Sequence, residues 1–261
     1  MSYYPLLPVP GCRAVTTLYN FPPNNWEFRG GSKVLVRATW VDEGQWRSKT
    51  IGDLGVRQAR AFSEEDFPEL NNPHSIVLLS MGREPLPEAS DELPKLPSKT
   101  HTPAWRATIS VNTAHTSTSY QGEIDPFPKM GTMLTFAPFL QYGENIENYL
   151  LFVNLEVSSV TRHAIVEVYD SKFPKKCSGT FKVRNNAISV FKLDDLGFST
   201  NDLPVLACRE MSGIPIYFSR TKDGHHLSME HTHPPASLVV HGNRWKLQKV
   251  VKKIWLDRLG K

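Results

Sequence analysis

Trp105-Arg106-Ala107-Thr108-Ile109-Ser110-Val111-Asn112-Thr113 is the stretch on which the fold class turns. On an extended backbone Trp105, Ala107, Ile109 and Val111 share one side, and Arg106, Thr108, Ser110 and Asn112 share the other. Successive strand residues point to opposite faces, so this alternation marks a sheet with one buried side. Further short apolar runs follow on both sides of it. They predict strands over 32–41, 74–81, 133–141, 149–156, 163–169, 179–184, 188–193, 204–209, 214–220, 225–231 and 236–241. In the first of these, Val34, Val36 and Ala38 face one way and Lys33, Leu35 and Arg37 the other. Asp223-Gly224 between two such runs is a hairpin signal. Residues 53–62 fit a short helix or a strand equally well. With 20 Pro and 16 Gly the chain is punctuated too often for long helices. The expected fold is mainly β, an antiparallel β-sandwich of the jelly-roll or Ig-like kind.

The C-terminus departs from this pattern. Residues 243–259 contain no Pro or Gly, and Leu247, Val250, Val251, Ile254 and Trp255 recur at helical spacing opposite Lys246, Lys249, Lys252 and Lys253. Asn243 is a suitable N-cap and Gly260 a suitable stop. Such an amphipathic α-helix, with its tryptophans and lysines, could lie on a membrane surface. Packing on its own domain is the expected use.

Three regions are expected. Residues 1–84 form an N-terminal β-rich region. Residues 85–103, with Pro85, Pro87, Pro94, Pro97 and Pro103 among charged residues, form a linker or long loop. Residues 104–261 form the sandwich domain with its terminal helix.

Bulk properties narrow the function classes. Hydrophobic residues at 40% and charged residues at 21% suit a chain that buries a real core. Cys12, Cys177 and Cys208 are odd in number and far apart, which argues against a disulfide framework or a thiolate zinc knuckle. There is no signal-peptide pattern, no apolar run long enough to span a bilayer and no Asn-x-Ser/Thr sequon, so the expected setting is cytoplasmic. The net charge of +4 is concentrated near the C-terminus, where a basic helix could meet an acidic protein or nucleic acid.

Four of the nine histidines fall in Gly224-His225-His226-Leu227-Ser228-Met229-Glu230-His231-Thr232-His233-Pro234-Pro235. On a strand His231 and His233 point to the same side, as two imidazoles sharing zinc or iron must. His225 lies about 20 Å away along an extended chain, so a third ligand has to come from another strand. His115 is the candidate. It opens a polar stretch with Ser117, Tyr120, Gln121 and Glu123, rich in donors and acceptors. A solvated turn and a plain Ser/Thr loop are the simpler readings of these two segments.

Phosphate-loop and dinucleotide motifs are absent, and so is a nucleophile elbow. Trp26, Phe28, Arg29, Lys33, Arg37, Trp40, Trp46 and Arg47 interleave aromatic and basic character, as a surface that stacks bases would. Three functional expectations follow. The first is a pocket for a polar small molecule or glycan, such as a sugar or nucleotide-sugar, lined by His115, Ser117, Tyr120, Gln121 and Glu123 with Glu230, His231 and His233. The second is a metal-dependent hydrolase with His115, His231 and His233 as ligands and Glu230 or Glu123 as general base. The third is an interaction subunit that binds through the basic helix.

Overall fold

The computed structural model describes residues 3–21, 33–67, 76–95, 107–137, 143–198, 202–231 and 244–260. The architecture is mainly β, with antiparallel sheets and one short C-terminal helix. The chain forms two compact units: Met1–Pro126 with Glu156–Thr161, and Phe127–Leu155 with Arg162–Lys261.

The first unit contains β1 (Tyr4–Pro5), β2 (Arg13–Tyr19), β3 (Val34–Asp42), β4 (Gln45–Leu54), β5 (Ala59–Ser63), β6 (Leu78–Gly82), β7 (Ala89–Ser90), β8 (Ala107–Asn112) and β9 (Ser117–Tyr120). They pair as two sheets, β1-β6-β3-β4-β7 and β5-β2-β8-β9. Along β8 burial alternates as the sequence requires, with Ala107, Ile109 and Val111 buried and the residues between them half-buried. Both sheets feed one core: Val36, Ala38, Leu79 and Met81 come from the first, and Ala14, Leu18, Phe62 and Ala107 from the second. Glu43 and Gly44 join β3 to β4 with φ of 46° and 77°. Two successive positive φ values match the twist of a two-residue hairpin.

The other side of β3 is buried too. Arg37 is only 1% exposed, and Trp46 on β4 is fully buried with its Nε1 donating to the Val157 carbonyl at 2.9 Å. Neither can stack or contact nucleic acid from the surface, so this part of the aromatic-basic pattern is packing. Arg37 Nη1 donates to the Glu84 carbonyl at 2.9 Å, whereas its Nε and Nη2, and Ser80 Oγ opposite it in register, find no hydrogen-bond partner among the described residues.

Within 85–103, expected to be a linker or long loop, the described part includes a short paired segment. Ala89 and Ser90 pair with Arg47 and Trp46 on β4, Leu93 is buried, and Leu93 N donates to the Val157 carbonyl. The units divide after Pro126, so β8 and β9 belong to the first unit instead of opening the second. Residues 96–106, with Pro97, Pro103 and Trp105, lie outside the described residues.

The second unit contains β10 (Met133–Phe136), β11 (Ile146–Asn154), β12 (His163–Asp170), β13 (Cys177–Arg184), β14 (Ala187–Lys192), β15 (Pro204–Cys208), β16 (Ile214–Thr221), β17 (Leu227–His231) and α1 (Arg244–Arg258). Its sheets, β10-β15-β12-β13 and β14-β11-β16-β17, also share a core. Met133, Val166 and Leu206 enter it from one sheet, and Leu150, Phe152 and Tyr217 from the other. Gly213 is needed here, because a Cβ would come within 2.5 Å of the Phe152 ring. The predicted Asp223-Gly224 turn forms, with Gly224 at φ 73°. The strand expected over 236–241 lies outside the described residues.

Of the stripe its periodicity suggests, helix α1 docks through Trp255, joined by Leu256 and Leu259, and leaves Val250, Val251 and Ile254 outside. Trp255, Leu256 and Leu259 pack with Leu134, Phe136, Tyr169, Val205 and Ala207, and the Trp255 ring meets Phe136 edge-on at 5.2 Å. Val250, Val251 and Ile254 stay 54%, 51% and 43% exposed. Lys252, expected in water, is half-buried and its Nζ donates to the Thr132 carbonyl. The ammonium keeps this bond, and burial lowers its pKa. Arg209 fastens the helix end, donating from Nη1 to the Leu256 carbonyl at 2.8 Å and from Nη2 to the Leu259 carbonyl at 3.1 Å. A cation on the last carbonyls also complements the helix dipole.

Candidate functional site

β9 pairs with β8 in the register Ser117 to Asn112, Thr118 to Val111, Ser119 to Ser110 and Tyr120 to Ile109. Val111 and Ile109 face the core, so Thr118 and Tyr120 lie on the inner side and Ser117 and Ser119 on the outer. The stretch expected to be a loop is therefore a strand, and Ser117 and Tyr120 fall on opposite faces of it. Burial raises the Tyr120 phenol well above its ordinary pKa. Gly122 makes room for that ring, since a Cβ there would come within 2.3 Å of it. His115 is exposed in the turn between the strands, where its N–H and that of Thr116 both donate to Thr113 Oγ1. Gln121 and Glu123 are exposed after β9. The Asp125 carboxyl is raised, first by burial and then by the charge of Glu123.

The outer side of β5-β2-β8-β9 carries a polar array that sequence reasoning placed only in part. Thr17 lies opposite Thr108, Ser110 opposite Ser119 and Asn112 opposite Ser117, and all six are half-buried or exposed. Cross-strand neighbours have Cβ atoms about 5 Å apart, so these groups form contiguous rows. One end is aromatic. Tyr19 donates from its hydroxyl to Thr108 Oγ1 at 3.2 Å, and its ring lies 6.0 Å from that of Phe21, which is 46% exposed. Asn20 between them donates from Nδ2 to the Leu54 and Gly55 carbonyls, which fixes this end of β2. At the other end Arg13 donates to Glu65 Oε2 at 2.7 Å and to Ser63 Oγ at 3.2 Å. Thr17, Tyr19 and Phe21 were missed. Their signal was alternation in Arg13-Ala14-Val15-Thr16-Thr17-Leu18-Tyr19, where Ala14, Thr16 and Leu18 turn inward.

The histidine-rich segment belongs to the second unit and the His115–Glu123 segment to the first. His225 and His226 are exposed at the turn, held through their N–H groups by Asp223 Oδ1 and Thr221 Oγ1. The Thr221 hydroxyl and the His225 N–H, both donating to Asp223, lower its carboxyl pKa. Glu230 is exposed at the end of β17, an edge strand. The side chain of His231 and all of His233 lie outside the described residues. Among the described residues no three His, Cys, Asp or Glu side chains converge as ligands for zinc or iron.

Two other polar groupings have structural explanations. Glu147 accepts from Lys192 Nζ at 3.0 Å and from Arg220 Nη2 at 2.8 Å, binding β11 to its neighbours β14 and β16. The Lys192 hydrogen bond, then that of Arg220, holds its carboxyl down to about 2. Asp194, half of an acidic pair, accepts from both the backbone N and the Nδ2 of buried Asn148. Cys208 is buried, and burial raises its thiol pKa, the opposite of what an activated nucleophile needs.

Compared with known proteins, the chain matches no protein-family model, no curated protein and no solved structure.

Proposed function

We propose that this protein binds a polyhydroxylated ligand, a glycan or a nucleotide-sugar, on the open face of β5-β2-β8-β9. The observation that carries this reading is the set of cross-strand rows Thr17/Thr108, Ser110/Ser119 and Asn112/Ser117, ending at the Tyr19–Phe21 pair. Hydroxyl and amide groups both donate and accept, as a polyol requires. An exposed phenyl ring beside them offers an apolar platform for the C–H face of a sugar. Both units are read here as β-sandwiches of the jelly-roll or Ig-like kind. Of the expected site residues this reading keeps Ser117 and leaves Tyr120 to the core side.

The test is an amide chemical-shift titration of the whole chain with cellobiose, maltose, N-acetylglucosamine and UDP-glucose in turn. Shifts confined to residues 13–21, 108–112 and 117–119, abolished by Phe21→Ala, are expected for at least one of them. A panel that leaves this face unshifted, or shifts only residues 225–231, overturns the proposal.

A further inference from the structure

We propose that α1 and the turn before β13 form a peripheral docking surface for an anionic lipid bilayer. Two neighbouring elements carry it. The first is the outward side of α1, where Val250, Val251 and Ile254 remain about half exposed beside exposed Lys253 and Arg258, with one acid, Asp257, among them. The second is Lys172-Phe173-Pro174-Lys175-Lys176, in which Phe173 is 66% exposed, Lys175 and Lys176 are exposed, and Lys172 pairs with Asp202 at 3.3 Å. Gly260 N donates to the Pro174 carbonyl at 3.0 Å, so this turn sits against the end of the helix. Val250 lies ten residues before Gly260, about 15 Å along the helix axis. The two elements thus meet at the C-terminal end of the helix.

The docking of α1 makes the exposure informative. The chain buries part of a lysine under this helix while three aliphatic side chains face water. Exposed large apolar groups gathered on one surface mark a contact. The chemistry selects the occupant. Valine, isoleucine and phenylalanine are best placed in hydrocarbon, and lysine ammonium groups beside phosphate. An anionic headgroup layer over acyl chains supplies both at one depth. Nucleic acid would pair with the lysines and leave the aliphatic groups in water. A second copy would cover the aliphatic groups and crowd like charges together. Among the described residues no helix is long and apolar enough to cross a membrane, so the contact is at the surface.

The test is flotation of the full chain with vesicles of equal parts phosphatidylcholine and phosphatidylserine, against vesicles of phosphatidylcholine alone. Neither carries sugar, so the outcome is independent of the sheet face in the first unit. Binding to the anionic vesicles only, lost at high salt, is expected. Lys175→Ala with Lys176→Ala should lower partitioning about 30-fold, roughly fivefold per charge. Phe173→Ser, at an exposed position, should lower it about tenfold with an unchanged far-UV circular dichroism spectrum. No flotation with either vesicle, equal flotation with both, or wild-type flotation of both variants overturns the proposal. So does a salt-sensitive complex with a random-sequence RNA in the absence of vesicle binding, or an Ile254-dependent dimer in its place.

Discussion

The outer faces of two four-stranded sheets, one in each unit, are the instructive contrast. Inside, β5-β2-β8-β9 and β10-β15-β12-β13 are built alike, each sending alternate apolar residues into a core. Outside they diverge. The first presents Thr17, Thr108, Ser110, Asn112, Ser117 and Ser119, with Val15 opposite Ser110, and stays open. The second presents Leu134, Phe136, Val205 and Ala207 along β10 and β15, and α1 covers them. Farther along, on β12 and β13, the same sheet turns to His163, Ile165 and Lys182, all exposed. The outward row alone, then, distinguishes a bare sheet from a roofed one.

Substitutions along these rows test the contrast. The inner rows should respond most and alike: Ile109→Ala and Leu206→Ala, both at fully buried positions, should each cost about 4 kcal/mol in chemical denaturation. A large difference between them would mean the two interiors are not equivalent. Removing the roof comes next. Trp255→Ala deletes the ring packed on Phe136 and should cost about 3 kcal/mol, with amide exchange rising along β10 and β15. Unchanged exchange there would show that α1 is not what protects that face.

Acid should separate the units by a smaller margin. In the second unit Glu147 has a folded pKa of about 2, below its ordinary value. Its stabilisation is complete above about pH 4.5 and is lost as pH falls through 2. After allowing for the exposed Lys192, this is about 2 kcal/mol. In the first unit burial raises the Glu64 and Asp125 carboxyls, so their protonation relieves a penalty as pH falls toward the ordinary carboxylate range. Amide spectra recorded from pH 6 to pH 2 should lose second-unit peaks first, and Glu147→Gln should remove that order. Simultaneous loss in the wild type would break the contrast. The smallest effect belongs to the bare face, where Ser110→Val should change stability by less than about 0.5 kcal/mol. A cost above 1 kcal/mol would mean that something covers it.

Much of the sheet architecture was legible because one-sided burial leaves a period of two, as in Ala107, Ile109 and Val111. Where both sides of a strand are covered, the period disappears, and β3 is the example. Arg37 was read as lying opposite the apolar side, and nothing local revealed that this side is closed as well. β4, with Lys49, Thr50 and Asp53, is too polar to announce itself and is held by pairing with β3. β9 looked like a loop because Ser117, Thr118 and Ser119 satisfy a turn as readily as a strand. The same ambiguity hid the polar face, which needs three strands in register before its groups become neighbours. For α1, helical spacing predicted an apolar stripe, but the surface at Leu134 and Phe136 took only Trp255 from it and added Leu256 and Leu259, while Val250, Val251 and Ile254 stayed exposed.

The grip of Arg209 on the Leu256 and Leu259 carbonyls has a mechanical corollary. Helix α1 is pinned at its C-terminal end, so detachment should begin from the residue 244 side and run toward the pin. A cut after Arg258 would remove buried Leu259 and one of Arg209's two anchors together, and leave the bond to the Leu256 carbonyl in place.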